Sequence, residues 1–136
     1  MREIKFRAWD KIAKKFLWPW PEGFHVLGET TCFDLIGTQL KERNPEATIL
    51  ELLNDIEIMQ YTGQNDKNDA EEWEGDICKF GHRKSNQEIG VIVFEQNFCA
   101  FGCWSKRSEH PLFYFCREDF EVIGNKFENP ELLEKP

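Results

Sequence analysis

Residues 60–77, QYTGQNDKNDAEEWEGDI, concentrate side chains that could hold a cation or move a proton. Asn65, Asp66, Asn68, Asp69, Glu71, Glu72, Glu74 and Asp76 fall between two apolar runs. A calcium loop of the EF-hand type needs D-x-[DN]-x-[DN]-G, because three liganding side chains must be followed by a glycine that permits a sharp turn. Counted from Asp66, the pattern supplies Asn68, then Ala70 where a ligand belongs and Glu71 where the glycine belongs. The flanking runs also have strand rather than helix character. Carboxylates that share acid–base work need burial or a partner to separate their pKa values. These acids lie among polar neighbours, so the sequence predicts a solvated hairpin-type turn built on Gly63, Asp66, Asn68, Glu74, Gly75 and Asp76. A metal-dependent hydrolase using Asp66, Glu74 and Asp76 is the weaker alternative.

The five cysteines, at 32, 78, 99, 103 and 116, are the second place to look for chemistry. Cys99, Cys103, His110 and Cys116 could be arranged as a zinc set. In an extended FCAFGCW the first two stand roughly 13 Å apart, at ~3.3 Å per residue. Zinc holds each sulfur at ~2.3 Å, so the pair would need a bend at Gly102. A local disulfide fails on the same distance. The simpler expectation is that Cys99, Phe101 and Cys103 alternate into a core as small apolar groups. A Cys–His nucleophile would need His110 in contact with Cys103 or Cys116 and a third group to orient it, and His25 and His82 are expected on the surface. No GxxxxGK[ST], GxGxxG or HExxH pattern occurs, so neither nucleotide nor zinc-protease chemistry is indicated. No catalytic residue, cofactor or bound metal is expected.

Trp18-Pro19-Trp20-Pro21 forms a rigid amphipathic ledge. Together with Trp73 it supplies the candidate contact residues, since exposed aromatics anchor protein–protein interfaces.

Several elements must position these residues. EIKFRAW alternates, with Ile4, Phe6 and Ala8 on one face and Lys5, Arg7 and Trp9 on the other, which predicts a half-buried strand. Pro19 and Pro21 exclude a central strand over FLWPW. No structure is assigned to 22–43. NPEATILELLNDI predicts the main helix, about 45–53: Asn44 caps, Pro45 takes the first turn, and Ile49, Leu52, Leu53 and Ile56 form the buried stripe. IEIMQY predicts a strand. Five further apolar runs (ICKF, IGVIVFE, FCAFGCW, LFYFC and FEVIG) predict a meander. NPELLEK predicts a short C-terminal helix capped by Asn129. The fold class is therefore β-rich with some α+β character, coiled antiparallel sheets or a barrel-like core, in one domain over 1–136.

Composition narrows the function classes. Twelve Phe and five Trp can fill a small core with few side chains. No run is long enough to cross a membrane as a helix, and the N-terminus lacks signal-peptide character, so the expected location is the cytoplasm. Net charge is −8, distributed as +4 over residues 1–20, −11 over 21–77 and −1 over the rest. Only the first segment offers the basic surface of a nucleic-acid binder.

The stretches MREIKFRAWD (1–10), IMQYTG (58–63), DKN (66–68), EGDI (74–77) and VIGNKFENPELLE (122–134) resemble, in order, the YopX family. That family comprises small proteins encoded largely by bacteriophages and prophages. The resemblance implies a mostly β fold with coiled, branching sheets, assembly into multimers and no catalytic residues to carry over. The family usually reads a DKNG-type turn, then an apolar residue and an aromatic before EGDI. Here Asp69 stands for the glycine, a substitution that a left-handed turn tolerates. Glu72 stands for the apolar residue, which implies that one inward position has become exposed, and Trp73 for the aromatic.

The resulting expectation is a non-catalytic protein of a phage or prophage, in the cytoplasm of its bacterial host. It would act through contacts with itself or with a host or phage protein. The runner-up is an accessory role in phage DNA metabolism through Arg2, Lys5, Arg7, Lys14 and Lys15, which the overall negative charge disfavours.

Overall fold

Alternating side chains in EIKFRAWD build the first strand, β1 (Lys5–Asp10), which pairs antiparallel with three others: β2 (Lys15–Phe16), β3 (Phe24–His25) and β4 (Ile56–Asn65). This computed structural model describes residues 3–17, 24–25, 32–81, 87–105 and 120–134. Among them strand residues far outnumber helical ones, and the strands form two antiparallel sheets. The chain divides into two compact units, Met1–Tyr61 and Thr62–Pro136, with the boundary inside β4.

In the first unit, Ala8 of β1 and Ile56 of β4 lie on one face of the sheet. They join Leu17, Leu40, Ala47 and Leu52 in a core that draws on both helices, α1 (Cys32–Arg43) and α2 (Ile49–Leu53). The opposite face is buried too. Trp9 meets Phe16 edge-on at 4.8 Å, Arg7 stands over the Phe16 ring and Lys5 over the Tyr61 ring, each cation 4.9 Å from the centroid. The expectation of a half-buried β1 is thus corrected. Lys and Arg can line a covered face because their aliphatic stems pack and their charges rest on aromatic faces.

The helix expectation is corrected as well. The longest helix among the described residues is α1, inside the stretch that the sequence leaves unassigned, and it ends just before Asn44-Pro45, with Lys41 and Arg43 in its last turn. Proline biases the preceding residue away from helical backbone, so Asn-Pro here closes one helix instead of opening the next. The Asn44 amide donates to the Leu40 carbonyl at 3.0 Å, completing that closure. The start of α2 falls at Thr48, whose hydroxyl accepts from the Glu51 amide while the Glu51 carboxylate accepts from the Thr48 amide, a full capping box. Of the predicted stripe, Leu52 and Ile56 are buried, but Leu53 is partly exposed and Ile56 already belongs to β4.

The second unit holds β5 (Glu71–Trp73), which pairs with β4, and a four-stranded sheet. Its strands are β6 (Asp76–Phe80), β7 (Glu88–Glu95), β8 (Ala100–Ser105) and β9 (Phe120–Asn125), in the order β8-β7-β6-β9. Cys78, Phe80, Ile92, Cys103 and Phe120 form its core, with Phe80 stacked on Phe120 at 5.0 Å. Gly90 keeps two strands close: a Cβ there would collide with the Trp104 carbonyl oxygen and approach Cys103 Sγ to 2.8 Å. The predicted short C-terminal helix is present as α3 (Glu131–Glu134). The Asn129 side chain accepts from the Asn125 amide at 3.3 Å, tying the segment back to the end of β9. The LFYFC run lies outside the described residues.

Candidate functional site, a buried carboxyl cluster

The loop expected to be solvated is so only in part: Lys67, Asn68, Asp69 and Ala70 are exposed, but three of the acids are not. Asp66, Glu72 and Asp76 are 1%, 1% and 3% exposed, which corrects both the solvated-turn expectation and the inference that position 72 had turned outward. The cause lies in how the backbone uses two of these acids. Asp66 follows β4, and its Oδ1 accepts from the amides of Asn68 at 2.8 Å and Ala70 at 2.9 Å, closing the turn on itself. Its Oδ2 accepts from the Val122 amide of β9 at 2.8 Å. The Lys67 amide donates to the Phe120 carbonyl at 3.1 Å, and Lys67 pairs with Glu121 at 3.4 Å. One aspartate thus shapes the turn and fastens it to β9, a task in which a charged acceptor satisfies several buried donors. Asp76, at the start of β6, accepts from the Trp73 amide at 2.9 Å.

The remaining turn residues fall where the sequence placed them. Gly63, Asp69 and Gly75 have φ of 91°, 65° and 85°, so the aspartate in the place of a glycine does adopt the left-handed conformation. Gly75, between β5 and β6, donates to the Ile92 carbonyl and accepts from the Lys126 amide. Glu74, beside it, is half-buried.

Glu72 is the residue that the sequence reading missed. It sits in β5 next to Trp73, and neither of its carboxylate oxygens has a hydrogen-bond partner among the described residues. Burial pushes its carboxyl up from 4.5 to about 7, and the charges of Asp66 and Asp76 add to the shift. One signal was available: in the family pattern an apolar residue precedes the aromatic before EGDI, and an apolar position points inward. The two thiols nearby are held neutral. Burial, with Glu72 and Glu88, pushes Cys103 up to about 12, and burial, with Cys103 and the three carboxyls, pushes Cys78 higher still.

The arrangement can hold a proton on one of three clustered carboxyls. Among the described residues no three His, Cys, Asp or Glu side chains converge with metal-binding geometry. The candidate zinc set does not assemble from the residues described. Cys103 is buried in β8, whereas Cys99 is exposed in the preceding turn at φ 50°, so the expectation that both alternate into the core holds for Cys103 alone. His110 and Cys116 lie outside the described residues.

The contact candidates separate in the same way. Trp73 is buried at 3% exposure, so it serves the core and not a surface. Trp18 and Trp20 lie outside the described residues, as does Arg2. Lys5 and Arg7 are buried, while Lys14 and Lys15 are exposed in and after the β1–β2 turn. The first unit has a cavity of about 370 Å³ lined by Asp10, Lys15, Gln39, Glu42 and Arg43. Its charges are mostly engaged with one another: Asp10 accepts from the amides of Ile12 and Ala13 and from Arg43 Nε at 2.8 Å, and Arg43 also reaches Asp55 at 3.4 Å.

Comparison with known proteins places this geometry in a family. The chain is similar over 98% of its length, with a TM-score of 0.55 and 22% identity, to protein EF1440 from Enterococcus faecalis, whose own chain is 99% covered. That likeness is one of fold. No curated protein matches the chain. The YopX protein family matches over residues 5–134, which takes in both units, the Asp66 turn and the EGDI segment. The chain belongs to the YopX family.

Proposed function

We propose that the protein is a non-catalytic protein of phage or prophage origin that works through protein contacts, first of all with copies of itself. One observation carries this reading. Along β7 and β8 the pair Ile92–Cys103 faces the core, and the next pair on that same face is Phe94–Phe101. These two rings meet edge-on at 5.3 Å, yet Phe94 is 44% exposed, and Phe98 in the turn beyond is 63% exposed. The core face of the sheet thus continues past the core into an aromatic ridge. Exposed aromatics of this kind anchor interfaces, and a contiguous apolar patch is costly to leave in water. A second copy is the favoured occupant because the chain carries both a basic segment and an acidic one, which suits a contact between unlike surfaces of identical chains.

Burial of Lys5 and Arg7 weakens the nucleic-acid reading, since two of its five basic residues rest on aromatic rings. The backbone ties on Asp66 and Asp76 give those acids structural work, which weakens the hydrolase reading. Light scattering on the wild type and on Phe98→Ser tests the proposal. A multimer that dissociates at higher concentration in the variant supports it. A wild-type monomer at micromolar concentration and low salt overturns it.

A further inference from the structure

We propose that Glu72 is a proton-operated latch: with its proton the 66–73 segment lies closed against β9, and without it that segment loosens. The argument starts from an inequality among three acids in one buried place. Asp66 accepts the backbone amides of Asn68, Ala70 and Val122, and Asp76 accepts that of Trp73, so the backbone supplies donors to both. Glu72 is 1% exposed and receives no hydrogen bond on either oxygen among the described residues. An isolated buried carboxylate is far more costly than the neutral acid. A third negative charge beside two fixed ones adds repulsion that the low-dielectric interior screens poorly. The proton of the cluster therefore resides on Glu72.

Among the described residues, every titratable group that acts on Glu72, or on which Glu72 acts, is itself an acid. The titratable groups facing Glu72 are Asp66 from the turn, Asp76 and Cys78 from β6, and Cys103 from β8, with Glu88 of β7 acting on Cys103. All are acids, and both thiols stay neutral. When Glu72 gives its proton to solvent, the charge is relieved by moving the side chain toward water. The segment that carries it is tied to β9 by Asp66 at the Val122 amide, by the Lys67 amide at the Phe120 carbonyl, and by a half-exposed Lys67–Glu121 pair. Trp73, buried in the core, is the fixed end of the segment.

The direction of the pH effect follows from linkage. The folded-state value of Glu72, about 7, lies above its ordinary 4.5. Below the ordinary value, folded and unfolded chains both hold the proton and the contribution to stability is complete. As pH rises from there through about 7 the folded form binds more protons than the unfolded one, so stability falls with pH. Above about 7 the loss is complete.

The test compares wild type with Glu72→Gln, which keeps the shape and removes the titration. Thermal midpoints between about pH 5 and pH 8.5 should fall for the wild type and stay level, by difference, for E72Q. Amide exchange should show protection at Val122 lower by about tenfold or more in the wild type than in E72Q at the alkaline end. The carboxyl carbon of Glu72, followed by NMR in the wild type, should titrate near neutrality, and this reading stands even if E72Q does not fold. A Glu72 titrating with ordinary glutamates, or parallel pH curves for the two proteins, overturns the latch. A thermal shift on adding calcium or magnesium that E72Q lacks also overturns it, by making the ligand a metal cation and not a proton.

Discussion

Asp66, in the turn after β4, and Glu72, in β5, are equally buried carboxyls, and the structure treats them as opposites. Asp66 is surrounded by amide donors, while Glu72 has none among the described residues. Replacing Asp66 with Ala would leave the Asn68, Ala70 and Val122 amides, all part-buried, without that acceptor. Each such orphan costs about 1–3 kcal/mol, so we expect Asp66→Ala to lower stability by roughly 3 kcal/mol or more, read from the urea midpoint. Asp69→Gly, in contrast, restores the residue suited to φ 65° and gives up an exposed bond from Asn65. It should leave the midpoint within about 1 kcal/mol of the wild type. The sequence made the turn legible because DKN and Gly75 carry backbone preferences that act locally. It hid the burial, because Asp66 is covered through a bond to Val122, far along the chain, and no local pattern encodes that partner. Glu72 stands at an inward position of β5, but a charged side chain there reads as an outward turn, because no local pattern says that its carboxyl stays buried without a donor.

Among the elements, strands were easier to read than helices. IGVIVFE and FEVIG alternate or run apolar between turn residues, and they appear as β7 and β9 with ends shifted by a residue. Each is stabilised by a sheet whose pattern repeats along the chain. The helices depend on single capping residues, and there two signals competed. Asn44-Pro45 was read as a start, but it ends α1, and Thr48 with Glu51 supplies the box that begins α2. Helix α1 went unassigned because Gly37 interrupts its pattern and glycine is a poor helix former. The distinction is measurable. Thr48→Ala removes the acceptor for the Glu51 amide and should cost about 1 kcal/mol, toward the lower end since the cap is exposed. Asn44→Ala, outside the box, should cost less, and denaturant melts of the two variants rank them. Equal losses would mean that Asn44 contributes to the cap after all.

For the whole molecule, the charge tally of the sequence overstates what the surface offers. Two of the six positive residues in the first segment, Lys5 and Arg7, are buried, and so are Asp66, Glu72 and Asp76 in the acidic one. Among the described residues of the first segment, the positive charge that remains exposed lies in and after the β1–β2 turn, at Lys11, Lys14 and Lys15. Exposed ion pairs contribute about 0–1 kcal/mol each and weaken with salt. The aromatic ridge at Phe94, Phe98 and Phe101 is a better source of association, since burying one large apolar side chain yields about 1.5–3 kcal/mol. These magnitudes decide what self-association should look like. Phe98→Ser, and Trp18→Ala or Trp20→Ala on the Pro-bounded ledge, should each raise the dissociation constant about tenfold or more, since ~1.4 kcal/mol is a factor of ten. Lys14→Ala or Lys15→Ala should change it by less than about fivefold. Raising the salt from about 0.05 M to 0.5 M should leave most of the multimer intact, because screening acts on the charges and not on the rings. Sedimentation velocity across a concentration series measures all three. If the lysine variants or the added salt dissociate the multimer while Phe98→Ser does not, charge holds the copies together and the aromatic ridge must be assigned to another partner.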